Sequence, residues 1–455
     1  MSFASGESRW SDVYLAAAAR ALSTCGDFLA AAALTLALQS AGAGGLAVSG
    51  LLLAATLPLV VLAPLTGRLA DRVDSRILLV GAGLVQAAVC AALAYASHPL
   101  LIIALVALLA AGLAVTQPTL SALVPAMVRA DDLPRASALN QTAATLGALA
   151  GPALAGLLVG QFGTRLPLLL DAGSYLALVV AGLLLRTRRG GARSAIRTQP
   201  LGGTSAPTWR LRRDPLLVAM VATLAGVIGA VGAINVIEVF YVRETLGSTT
   251  TMYGLVTGAW TLGVLVGAWI FVRLARRWTA DSTLVQVGLA MLGGCCLMVL
   301  ASAAVSTAPL LVPLWLLGGL CNGGDNVFNN VVLARRTPEA ARGRAFAVFG
   351  AAVQGASMFG YLVGGVLLEL AEPRPLVAAC GIAGLLVVAA FVVPVRRAVR
   401  RELAAEANPP RQPLGTPTGA GSATVSPAAR APEPGGGYGG DHERSERANQ
   451  PAQWG

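Results

Sequence analysis

The residues able to do chemistry are few, and four of them are acids or acid-centred groups inside apolar runs. Asp27 lies near the middle of the first run, seven residues after Arg20, so the two share a helix face about two turns apart. Glu238 lies in the outer third of the seventh run, with Asn235 one turn before it and Phe240, Tyr241, Arg243 and Glu244 close behind. Asp325 is surrounded at helical spacings by Asn322, Asn326, Asn329 and Asn330 in the tenth. Asp171 opens the sixth beside Arg165 and reads as an external anchor. An ionisable side chain inside a membrane helix costs roughly 2.5 to 3.5 kcal/mol on insertion scales, and such residues mark a pathway or a partner. Asp27 with Arg20 is either a proton carrier, whose charge follows the wetness of its surroundings, or a structural ion pair. Glu238 either takes part in transport or faces headgroups. The Asn-rich set around Asp325 lines something wet or forms a structural polar network.

Enzyme chemistry is excluded on composition. All 33 basic residues are arginine, so no P-loop is present, because that motif needs a lysine. The two histidines, His98 and His442, and the six cysteines show no metal-ligand spacing and no nucleophile-base pairing. No cofactor and no metal is expected. The net charge of +11 is spread between apolar segments rather than gathered on one patch, which argues for membrane orientation and against nucleic acid.

Apolar residues make up 55% of the chain and charged residues 12%, the composition of a polytopic membrane protein. Apolar runs near 13–40, 46–66, 77–96, 99–127, 137–161 and 166–185 precede an arginine-rich break, and 215–242, 251–272, 283–304, 309–333, 343–370 and 374–395 follow it. Each is close to the roughly 20 residues that cross a bilayer core. The expected fold is an all-α membrane protein of twelve transmembrane helices in two pseudo-repeated halves, 1–185 and 215–395, joined by a cytoplasmic linker, 186–214, and followed by a disordered tail, 396–455. The first run carries Arg20 and Asp27 and is expected to be retained rather than cleaved. Arginines fall in alternate loops: Arg68, Arg72 and Arg76, then Arg129 and Arg135, the linker, Arg273, Arg276 and Arg277, and Arg335, Arg336, Arg342 and Arg344. The other loops hold Arg165, Arg243 and Arg374. The first set is cytoplasmic by the positive-inside rule, which puts both termini there.

Two alignments support the repeat. Ala136–Arg165 runs against Ala345–Arg374 without a gap, pairing Gly151 with Gly360 and Gly156 with Gly365, and Gly50–Arg72 runs against Gly254–Arg277 with one residue of slip. Glycines four or five residues apart, Gly147, Gly151 and Gly156 among them, predict helix crossings at small-residue faces. Gly67 to Arg76 is expected to be a cytoplasmic hairpin in which Asp71 accepts from backbone N–H groups at a helix start or pairs with an arginine across the loop, latching a gate with Gly67, Arg72 and Arg76.

The pattern Gly67-x-Leu69-Ala70-Asp71-Arg72-x-Asp74-x-Arg76 resembles the loop motif of the major facilitator superfamily. Gly147-x-x-x-Gly151-Pro152-x-x-x-Gly156 resembles the antiporter motif of its exporters, with Ala155 where that motif usually has another glycine. Arg20-Ala-Leu-Ser-x-x-Gly26-Asp27, Asp132-Leu133-Pro134-Arg135-Ala136-x-Ala138-Leu139-Asn140 and Gly343-Arg344-Ala345-Phe346 resemble the macrolide-efflux and enterobactin-exporter branch. The resemblance implies a monomeric plasma-membrane transporter in which helices one, four, seven and ten line a central cavity. On that basis Gln117, Asn235, Asp325, Asn322, Asn326 and Asn329 are candidate cavity residues, and Asp27, Arg20 and Glu238 candidates for proton coupling. The implied partners are membrane lipid, protons and a small molecule, amphipathic and neutral or cationic; an importer or a siderophore exporter is the alternative.

Overall fold

In the computed structural model the described residues are 8–188 and 214–407, apart from 276, 279, 339 and 340. Most of the arginine-rich linker, the tail from 408, Arg276, and the side chains of Gly67 and Asp71 therefore lie outside the described residues. All twelve apolar runs are helical. In the first half they are α1 (Trp10–Ser40), α2 (Gly45–Val61) with its continuation α3 (Ala63–Arg72), α4 (Ser75–Leu93), α5 (Pro99–Met127), α6 (Leu133–Phe162) and α7 (Arg165–Leu184). In the second they are α8 (Pro215–Val231) with α9 (Ile234–Phe240) and a π-helical turn at Tyr241–Thr245, then α10 (Thr250–Ala275), α11 (Asp281–Ala303), α12 (Leu311–Arg336), α13 (Arg342–Leu368) and α14 (Pro373–Ala407). Among the described residues, ten helices are long and apolar enough to cross a membrane. The two runs outside that ten are α2, which is 17 residues long, and α12, whose Asn322, Asp325, Asn326, Asn329 and Asn330 lower its hydropathy. Large apolar side chains such as Leu100, Phe162, Leu184 and Leu386 are exposed on the outside, where a bilayer supplies the apolar solvent.

Three boundaries differ from expectation. The stretch read as a hairpin from Gly67 is helical as far as Arg72, because Pro64 sits in the first turn of α3, where its missing N–H costs nothing, and nothing after it breaks a helix. The turn shrinks to Val73 and Asp74. Its helix-capping acid is Asp74, whose side chain accepts from the Arg76 backbone N–H at 2.8 Å. At the other end, residues 396–407, expected to be disordered, continue α14, since Arg, Ala, Leu and Glu all favour helix. The third difference is the break in the seventh run at Gly232 and Ala233, which sets Glu238 on the short α9.

Glycines decide where helices touch. A Cβ at Gly151 would meet α1 at Phe28 Cβ (2.6 Å) and Cys25 O (2.8 Å), and one at Gly147 would meet the α1 backbone at Cys25 N (2.9 Å). Gly360, aligned with Gly151, stands in the same way against Gly232 (2.8 Å) at the α8–α9 break. Gly156 meets α10 at Thr250 O (2.8 Å) and Gly254 Cα (2.9 Å), with Pro152 O 2.7 Å from the Cβ position of Gly254, while Gly365, aligned with Gly156, meets α2 at Ser49 Cβ (2.5 Å). Contacts between the halves are thus exchanged pairwise, α6 with α10 and α13 with α2.

The tightest crossing joins α10 and α12, where Gly263, Gly267, Gly319 and Gly323 each lie against backbone of the other helix. Gly319→Ala would drive a methyl into the Trp260 carbonyl, and overpacking of this kind costs about 1–3 kcal/mol. The purified variant is expected to melt several degrees below the parent, whereas Gly343→Ala, with nothing within 4 Å of its Cβ position, is expected to melt with the parent. Equal melting of all three proteins would remove this crossing from the fold.

Hydrogen bonds between the halves gather at the end away from the arginine-rich loops. Gln39 Nε2 donates to Glu244 Oε1 (3.0 Å), the Leu46 N–H to Glu369 Oε1 (3.3 Å), Ser49 Oγ to Tyr361 O (2.8 Å) and Thr251 Oγ1 to Gly156 O (3.4 Å). At the arginine-rich end the first turns of α13 are largely exposed, and Gly343, Gly350 and Gly355 have nothing within 4 Å of their Cβ positions. Within the second half that end is tied by Arg336 Nε on Asp214 Oδ2 (2.7 Å).

Candidate functional site

The break at Gly232 lets α9 turn Glu238 inward. Its side chain is 6% exposed, and Thr257 Oγ1 of α10 donates to Glu238 Oε1 at 2.9 Å. Glu238 borders a cavity of about 240 Å³ shared with Asn235, Thr257, Trp260, Trp315, Asn322, Ser357 and a wall of Val, Ile and Leu side chains. Facing headgroups is therefore not its position. Trp260 and Trp315 pack edge to face, ring centroids 5.5 Å apart, and the lining holds no arginine. One carboxyl, two amides and two indole rings in an apolar shell can receive a hydrophobic cation or a neutral amphipath, because aromatic faces attract cations once water is excluded.

The residues grouped on α12 divide. Successive residues turn about 100° around a helix, so Asn322, Asp325, Asn326 and Asn329 fan across a broad face. Asn322 borders the Glu238 cavity. Asp325 is buried, accepts from Asn329 Nδ2 (2.8 Å), and points with it into a small void between α8 and α11 where Gly288 leaves it room. Asn326 is exposed, its Nδ2 bonded back to Asn322 O and Oδ1 (both 3.0 Å), and Gln117 on α5 is exposed and outside the Glu238 cavity.

In the first half, Asp27 accepts a short hydrogen bond from the hydroxyl of Tyr175, a fully buried residue of α7. Arg20 acts on Asp27 at longer range than a hydrogen bond, with its Nε and Nη1 buried and without a hydrogen-bond partner among the described residues. Asp171 is a correction as well. It is fully buried rather than an external anchor, since it lies almost two turns into α7, past Arg165, whose guanidinium stacks on Tyr95 instead. Its carboxylate accepts from Ser174 Oγ (3.0 Å) and Cys90 Sγ (3.1 Å) and occupies the space that a side chain at Gly26 would need. Sequence reasoning missed Tyr175, Thr257, Trp260 and Trp315. Tyr175 follows Asp171 by four residues, the spacing that shares a helix face, and that was the available signal. The tryptophans sit in runs where an aromatic reads only as apolar.

The described residues thus combine ten helices long and apolar enough to cross a membrane with a largely apolar cavity that carries one carboxyl and two amides. The sequence profile of the transmembrane secretion effectors matches residues 13–420, and the chain belongs to that family, within the major facilitator superfamily. Among solved structures, a peptide transporter, POT, in complex with sulfate shares 16% identity and a TM-score of 0.66, covering 86% of this chain and 95% of that one. The nucleoside transporter NupG shares 12% identity and a TM-score of 0.65, covering 86% and 98%. A bacterial homolog of the human lysosomal transporter Spinster, inward-facing and unoccupied, shares 12% identity and a TM-score of 0.59, covering 89% and 98%. At such identities the likeness establishes the fold alone. No curated protein matches the chain.

Proposed function

We propose that this protein is a proton-coupled exporter of small amphipathic neutral or cationic compounds, working by alternating access between two six-helix halves of the plasma membrane, with both termini cytoplasmic. The observation that carries the reading is the Glu238 cavity: a carboxyl and two indole rings in an apolar shell without an arginine. Such a lining disfavours phosphorylated or acidic cargo, because a buried anion beside an unpaired carboxylate is costly. The pairwise exchange of contacts between α2 and α13 and between α6 and α10 supports twelve spans in two halves, rocking about seams of small residues. Hydrogen bonds across the arginine-poor end, together with the loosely packed start of α13, support reading this as a state open towards the arginine-rich end, which this proposal places in the cytoplasm. Gly67, Asp71, Arg72 and Arg76, around the α3–α4 turn, belong on this reading to the gate that closes that end. Asp27 and Glu238 carry the coupling. Arg20, two of whose guanidinium nitrogens have no hydrogen-bond partner, is the group an acidic siderophore would use and is what favours that second cargo class.

Inside-out vesicles test this. With an inward-acid gradient they are expected to accumulate a lipophilic cation or a macrolide, and a protonophore is expected to stop it. Accumulation that ignores the gradient removes the coupling, and accumulation confined to right-side-out vesicles makes the protein an importer.

A further inference from the structure

The first turn of α2 and the last of α13 come from opposite halves and meet at the arginine-poor end. A helix begins with backbone N–H groups that have no partner in the helix, and α2 starts with Gly44 and Gly45, neither of which supplies a capping side chain. The cap comes from the other half. Glu369, immediately after α13, places Oε1 3.3 Å from the Leu46 N–H. A carboxylate there is at the unfavourable end of its own helix dipole and at the favourable end of α2's. The two glycines make the room: a Cβ at Gly44 would collide with the Glu369 carboxylate, and one at Gly45 would lie 2.5 Å from Leu368 Cβ and 2.9 Å from Gly365 O. Beside this contact Ser49 Oγ holds the Tyr361 carbonyl, and Gln39 holds Glu244. The other seam, α6 with α10, is bridged by Thr251 on the Gly156 carbonyl and, among the described residues, has no carboxylate on a helix start.

We propose that Glu369 is the latch of the arginine-poor gate, an N-terminal cap borrowed across the two halves that forms when this end closes and is lost when it opens. The inference rests on the reading of two rocking halves. Replacing a capping side chain by alanine usually costs about 1 kcal/mol, which corresponds to roughly a five-fold shift towards the state open at this end.

Hydrogen exchange of the full-length protein in lipid nanodiscs reads both ends at once. In Glu369→Ala, amides at the start of α2 and the end of α13 are expected to exchange about five-fold faster, while amides around the α3–α4 turn and the start of α13 slow down as the opposite end closes. Gly44→Ala, which displaces the carboxylate without removing it, is expected to give the same opposed pattern and stands in if Glu369→Ala does not fold. Faster exchange confined to the first turn of α2 would make Glu369 a local cap and overturn the latch. Tetraphenylphosphonium added to the unsubstituted protein is the control. If it moves the two ends in opposite senses and both variants match the unsubstituted protein, the latch is wrong and the rocking halves stand; if it moves neither end, the transport reading is what fails.

Discussion

Glu238→Gln is expected to lower gradient-driven export by about two orders of magnitude, the usual contribution of a positioned proton-transfer group, while leaving gradient-free exchange of the substrate largely intact. The carboxyl is 6% exposed and receives one hydroxyl, from Thr257, with no cation beside it among the described residues. Glutamine has the same length and keeps a carbonyl oxygen for that hydroxyl, so the cavity holds its shape and only the titratable group is lost. Melting of the purified variant should stay within a degree or two of the parent, because removing an unpaired buried acid does not strand a partner. The measurement is a pair of vesicle assays, one driven by an acid gradient and one by substrate exchange. Equal loss in both would make Glu238 a binding or folding residue, and no loss in either would remove it from the mechanism.

The distribution of legibility has a physical cause. Helices were readable because runs of about 20 apolar residues mean the same thing wherever they occur, and the stripe Gly147, Gly151, Gly156 named a contact face because glycine is the residue that lets backbones touch. The site was readable only as single residues. Depth along a helix follows from residue count, and the direction in which a side chain points does not, which is why the sequence leaves Glu238 open between cavity and headgroups and the break at Gly232 turns it inward. Asp171 was misplaced for a related reason. Its nearness to Arg165 in sequence suggested the membrane edge, whereas almost two turns of helix carry it inside, against Gly26 and Cys90. Partners are harder still. Tyr175 and Asp27 are 148 positions apart, and no periodicity on either helix announces that they meet.

That meeting decides how Asp27 is to be tested. If Asp27 and Arg20 formed a buried ion pair, removing either partner would strand the other charge and cost about 3–5 kcal/mol. The structure places the Tyr175 hydroxyl on Asp27 and leaves two Arg20 nitrogens without a hydrogen-bond partner, so Asp27→Asn breaks no contact ion pair among the described residues and loses only a longer-range attraction to Arg20. The side-chain oxygen of asparagine can still accept from Tyr175, and the shape of the site is conserved. Asp27→Asn is therefore expected to fold, insert and melt like the parent, within about 1 kcal/mol, yet to lose export driven by the proton gradient by about a hundred-fold, the lower end of what positioned acids and bases contribute. Tyr175→Phe removes the donor and keeps the acid, so it should retain coupling and shift its pH profile. Arg20→Gln separates the two accounts of this region. With no ion pair to lose, it should melt like the parent, whereas a drop of several degrees in both Arg20→Gln and Asp27→Asn, with coupling intact, would return the pair to a structural role and leave Glu238 as the coupling carboxyl.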